Sequence, residues 1–165
     1  MKKDKNKTCV SREKGFLLVE VIIAIAIIML SVLAAMSVTQ KSVYVARQSL
    51  HLSQAGFLLE EGAEAVRILR DNSWTNISGL TPGTSYYPAF SSSTWSLSST
   101  PSTVDIFTRT VSVANVNRDP GTGDISTSGN NDAGTKLATV SVSWNESGTQ
   151  MTRTLSFYIM DIFSH

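Results

Sequence analysis

The chain has 165 residues and a formal net charge of +1, enough for one ordinary domain with a short extension. Its single cysteine, Cys9, excludes an internal disulfide and a cysteine-based zinc site, and its two histidines, His51 and His165, exclude a multi-histidine metal centre or a histidine-based triad. The near-neutral total also argues against a strongly basic nucleic-acid binder, and nucleic acid is not an expected partner.

The charge is unevenly distributed. Residues 1–15 form a basic leader in which Lys2, Lys3, Lys5, Lys7, Arg12 and Lys14 face only Asp4 and Glu13. The remainder holds 8 basic and 11 acidic residues, a net of −3. From Phe16 to Val38 the only polar residues are Glu20, Ser31 and Ser37. About 20 apolar residues suffice to cross a bilayer as a helix, and the stretch has no polar face of the kind a soluble helix shows. The basic flank predicts a cytoplasmic N-terminus and an extracytoplasmic body on a single-pass inner-membrane anchor. The apolar run is longer than a secretory signal core and has no small-residue cleavage site after it. No apolar stretch precedes Cys9, which argues against a lipoprotein. Glu20 is the anomaly, because an ionised carboxylate inside a membrane helix costs at least ~2.5–3.5 kcal/mol and calls for a partner.

The run Lys14-Gly15-Phe16-Leu17-Leu18-Val19-Glu20, followed by an apolar helix, resembles the N-terminal motif of type IV pilins and of the pseudopilins of type II secretion. Gly15, Phe16 and Glu20 match the family pattern of a leader ending in glycine, then phenylalanine, then glutamate as the fifth mature residue. Leu17 departs from a common threonine, and Ser37 stands where many major pilins have a kink-forming proline. The resemblance implies cleavage between Gly15 and Phe16 by a prepilin peptidase, which also methylates the new Phe16 amine. It implies partners in other pilin or pseudopilin subunits, an inner-membrane assembly platform and the lipid bilayer. Asp105, Asp161 and the other acids show no spacing that positions a carboxylate pair, and no nucleophile–base set exists, so neither enzyme activity nor a cofactor is expected. In the filament Glu20 would pair with a neighbour's N-terminal ammonium, and Cys9 would leave with the leader. The expected function is a structural prepilin of a type IV pilus-like filament, with the missing proline and absent disulfide favouring a minor subunit. The alternative is a pseudopilin of a type II secretion system. The filament would lie outside the cell or in the periplasm.

Beyond the apolar segment, taken as 16–40, an amphipathic helix is expected over 41–71. Val43, Leu50 and Phe57 recur every seven residues, and Leu58, Gly62, Ala65, Val66 and Leu69 continue the stripe. Glu60, Glu61, Glu64, Arg67 and Arg70 then form a solvated face, with Glu64 and Arg67 positioned to pair. Half of the 32 residues in 72–103 are serine or threonine, which predicts a connecting loop anchored by Trp74, Tyr86, Tyr87, Phe90 and Trp95. Residues 104–165 read as an antiparallel sheet. Its strands are 104–116, with Phe107, Val111 and Val113 on one parity, 136–144, with Ala138, Val140, Val142 and Trp144 inward, and 151–159, with Met151, Leu155, Phe157 and Ile159 inward. Residues 145–149 are read as a five-residue hairpin loop. Asp119, Asp124 and Asp132 are candidate calcium ligands in a loop over 117–135, although EF-hand spacing is absent and turn chemistry accounts for them. A basic patch of Arg109, Arg118, Lys136 and Arg153 is the one candidate surface for phosphate. Asn76 and Asn145 head chance matches to the glycosylation sequon. The predicted fold class is α+β, a long N-terminal helix packed on a small antiparallel sheet, as in pilins.

Overall fold

The computed structural model describes the backbone of residues 11–163 and the side chains of residues 16–163. Lys2, Lys3, Asp4, Lys5, Lys7, Cys9 and His165 lie outside the described residues. The described fold is α+β: one long apolar-to-amphipathic helix, then antiparallel strands. Helix α1 is Ser11–Asn72, so helix begins inside the expected leader, before Phe16. The chain divides into two compact units between Gln48 and Ser49.

In the first unit every described side chain from Phe16 to Arg47 is exposed, and the most apolar stretch of α1 has none of its residues buried. Its length and mean hydropathy of 3.0 suffice to cross a membrane.

The second unit holds α1 from Ser49 onward, the short α2 (Thr75–Ser78) and seven strands. Strands β3 (Thr103–Val104), β4 (Phe107–Arg118), β6 (Asn130–Glu146) and β7 (Thr149–Met160) lie side by side in that order, all antiparallel. Strand β5 (Ile125–Ser126) adds to the far end of β4. Strands β1 (Tyr87–Ser91) and β2 (Thr94–Ser98) make a separate hairpin, joined to β4 by a bridge between Tyr86 and Val111.

Residue parity decides which sheet face meets α1. Phe107, Val111 and Val113 of β4 and Ala138, Val140, Val142 and Trp144 of β6 are buried on the inner face, as the alternation predicts. One core cluster joins Ala63, Val66 and Leu69 of α1 to Ile77, Val111, Val140 and Ile159. A second joins Ala55 to Phe107, Val142 and Trp144. Each fully buried valine or isoleucine contributes about 1.5–3 kcal/mol relative to exposure. The opposite face carries hydroxyl rows across β4, β6 and β7: Thr108–Ser143–Thr152, Thr110–Ser141–Thr154 and Ser112–Thr139–Ser156. The last rung is closed by a 2.9 Å bond between the Thr139 and Ser156 hydroxyls.

Five expectations are corrected. The helix stripe through Val43, Leu50 and Phe57 is exposed, Phe57 by 71%. At 100° per residue Phe57 and Val66 lie about 180° apart, so both cannot face the sheet. The 72–103 connection is not a plain loop but contains α2 and the β1–β2 hairpin. The loop over 117–135 is shorter than expected, because β4 runs to Arg118, β5 forms within it and β6 starts at Asn130. The β6–β7 connection is tighter than the expected five residues. Glu146 pairs with Thr149, leaving Ser147 (φ 51°) and Gly148 (φ 86°) as a two-residue turn. On β7 only Ile159 is fully buried, while Leu155 is 37% exposed on this edge strand.

Candidate functional site

Gly15, Phe16 and Glu20 all lie on α1, within helix. Phe16 is 75% exposed, and Glu20 is exposed as well. Residues four apart share a helix face, so Phe16 and Glu20 mark one side of the first turns. The following apolar surface satisfies its own polar groups. Ser31, Ser37, Thr39 and Ser42 each donate to the carbonyl four residues earlier, at 2.8–3.0 Å. Such back-bonding leaves no free hydroxyl donor toward a nonpolar surrounding. Beyond Val38 the first cation is Lys41, whose ammonium sits 5.2 Å from the Tyr44 ring centre, an amphipathic pair of the type found at membrane–water boundaries. This exposed apolar surface, with one carboxylate near its start, is long enough to cross a membrane.

The aspartates are used as turn and bulge ligands. Asp119 Oδ1 accepts from the backbone N–H groups of Gly121 (2.7 Å) and Thr122 (3.0 Å), and the Asp119 N–H donates to the Asp124 carbonyl. Asp132 belongs to a different construction. Pairing slips between Asn115, opposite Lys136, and Val116, opposite Asp132, so β6 bulges there. Arg118 closes the bulge by donating from Nε to Asp132 Oδ2 (2.6 Å) and from Nη2 to the Thr135 hydroxyl (3.2 Å). The Thr135 hydroxyl and the Arg118 guanidinium hold the Asp132 carboxyl below the ordinary 3.8. No cluster of three metal-binding side chains occurs among the described residues.

The expected basic patch does not assemble. Arg109 is 5% exposed and Lys136 is 8% exposed, with its Nζ donating to Asn115 Oδ1 at 2.6 Å, while Arg118 serves Asp132.

Two polar contacts in the helix–sheet seam were not expected from the sequence, although their residues were named in other roles. Arg109 occupies an inner-face position of β4 between Phe107 and Val111. Its Nη1 lies 2.8 Å from Glu61 Oε2, and its guanidinium sits 5.5 Å from the Trp95 ring centre. Glu61 stays exposed on the expected solvated face, but its carboxylate is held in an ion pair with the buried Arg109 guanidinium. His51 Nδ1 lies 2.5 Å from Glu146 Oε2, which also accepts from the Trp144 indole at 3.1 Å. The signal was present in parity: Arg109 and Glu146 both continue the inward positions of their strands. The expected Glu64–Arg67 pair does form, at 3.3 Å.

No protein-family model, curated protein or solved structure matches this chain.

Proposed function

We propose that this chain is the precursor of a structural subunit of a type IV pilus-like filament, of the minor kind. The observation that carries the reading is the uncovered apolar helix surface from Phe16 to Val38, interrupted only by Glu20 and two back-bonded serines, and preceded by Gly15. A prepilin peptidase and methyltransferase would cut between Gly15 and Phe16 and methylate the new amine. Both residues lie in helix, so the cut requires the first turns of α1 to open. Glycine favours that opening, since it weakens a helix by about 1 kcal/mol relative to alanine. The lipid bilayer covers α1 before assembly, and neighbouring subunits cover it afterwards, delivered by an inner-membrane assembly platform. In the filament the Glu20 carboxylate meets the Phe16 ammonium of a neighbour. Each charge alone is costly in that setting, whereas the pair attracts strongly.

The experiment is intact-mass analysis of the membrane-extracted chain produced with and without a prepilin peptidase. The expected product begins at methylated Phe16, and Gly15→Val should leave the full-length precursor. Appearance of the Gly15→Val chain at mature size would overturn the cleavage assignment. Glu20→Gln should be cut and should reside in the membrane, yet be lost from sheared filaments, because an unpaired buried ammonium costs about 3–5 kcal/mol. Wild-type amounts of Glu20→Gln in filaments would remove the pairing role.

A further inference from the structure

The outer face of the sheet is free of α1 and carries a cleft that the filament reading does not use. It lies where β5 pairs with the end of β4, beyond the slip in pairing at Asn115. The cleft holds about 270 Å³. Tyr158 and Leu137, which pair directly across β6 and β7, supply its apolar wall. Asn117, Ser126 and Thr127 supply an amide and hydroxyls around them.

The chemistry of this lining is specific. None of its residues is an acid or a base. Tyr158 is 51% exposed, so a ring face is accessible to a ligand. The Asn115 side chain is taken up by Lys136 on the opposite parity, so the side-chain polar groups of the cleft come from Asn117, Ser126 and Thr127. Amides and hydroxyls both donate and accept, as does every hydroxyl of a sugar. A sugar ring also presents a C–H face that an aromatic ring covers. Beyond the cleft the same sheet face continues as the three hydroxyl rows, again without charge. Rows repeat about every 6.6–6.8 Å along a strand and about 4.8 Å across strands, giving a regular neutral donor–acceptor surface next to the cleft.

We infer that this cleft binds a neutral polysaccharide, with one sugar against Tyr158 and adjoining sugars on the hydroxyl rows. An anionic polymer does not fit, because the lining holds no cation to pair with it. A purely apolar ligand does not fit either, since it would strip water from the Asn117, Ser126 and Thr127 polar groups without replacing their bonds.

The test uses the full chain in lipid nanodiscs, titrated calorimetrically with maltohexaose, laminarihexaose, a chitin-derived hexamer and an oligogalacturonate. The expected result is binding of at least one neutral hexamer that is unchanged by salt from about 50 to 500 mM. Tyr158→Ala and Asn117→Ala should each weaken that binding roughly tenfold or more. Tyr158→Phe should retain it, and Phe163→Ala, outside the cleft, should leave it intact. Circular dichroism of each variant reports whether the sheet is preserved, and Asn117→Ala carries the test if Tyr158→Ala unfolds. Three outcomes overturn the proposal: no neutral hexamer binding at about 10 mM, binding indifferent to both Tyr158→Ala and Asn117→Ala, or salt-sensitive binding of the oligogalacturonate alone.

Discussion

Gly56 and Gly62 both lie in α1, and their surroundings give them opposite roles. A Cβ on Gly62 would come 2.7 Å from Val140 Cγ1 and 3.2 Å from Arg109 Cδ, whereas a Cβ on Gly56 would meet nothing within 4 Å. Gly62→Ala should therefore destabilise the second unit by about 1–3 kcal/mol through overpacking. Gly56→Ala should stabilise it by about 0.5–1 kcal/mol through helix propensity. Urea unfolding of the two variants checks both signs. Helix periodicity placed Gly62 on the stripe, but only the close approach of Val140 and Arg109 explains the glycine itself. Asp132 gives a pH test. Its folded pKa is lowered, first by the Thr135 hydroxyl and then by Arg118. Its contribution is present above the unfolded carboxylate range and is lost as pH falls through the lower folded value. Asp132→Asn should reduce stability at pH 7 and flatten the decline as pH falls below the ordinary carboxylate range. An unchanged acid limb would mean that Asp132 is not linked to folding.

Among elements, the β6–β7 hairpin shows how local chemistry constrains a turn. Ser147 and Gly148 both take positive φ, the pattern of a type I′ turn that favours asparagine then glycine. Gly148 meets this at no steric cost, and Ser147 does not. Ser147→Asn should stabilise the hairpin by about 0.5–1 kcal/mol, read from the same urea midpoints. A five-residue loop was expected because strand alternation fades at Asn145, and cross-strand pairing of Glu146 with Thr149 is invisible in composition. The β1–β2 hairpin was hidden for a related reason. Its strands are five residues each, the serine-rich tip Ser92–Ser93 also has positive φ, and hydroxyl density masks the alternation of Trp95 and Leu97 toward the core. The long strands β4 and β6 were legible because β-branched and aromatic residues occupy every second position. Arg109 broke that pattern and was read as part of a basic patch, although its aliphatic stem and ring-stacked guanidinium make it part of the packed seam.

At the scale of the whole chain, the apolar segment was readable from hydropathy, whereas the candidate site around Gly15 and Glu20 was readable only through its resemblance to pilins. Phe16 and Glu20 are exposed in the isolated chain, so on the proposed filament reading their chemistry is completed by lipid and neighbours. The head is a different case. Every buried residue of both core clusters lies at Ala55 or later, so residues 16–43 add nothing to its core. A fragment of residues 44–165 should be soluble and unfold cooperatively, with a midpoint within a few degrees of the full chain, as checked by circular dichroism and limited proteolysis. Cutting α1 there exposes new N-terminal amides and lets the first turn fray. In this fragment the His51–Glu146 contact, tied in turn to the Trp144 indole, becomes the first polar attachment between α1 and the sheet. His51→Ala should therefore cost about 1–3 kcal/mol in the fragment. It should cost less in the full chain, where the preceding helix resists fraying. Hydrogen exchange of residues 49–55 in both backgrounds distinguishes the cases. Equal loss of protection would show that the histidine anchors the helix regardless of what precedes it. An unfolded wild-type fragment would show that the head depends on the membrane half or on filament neighbours.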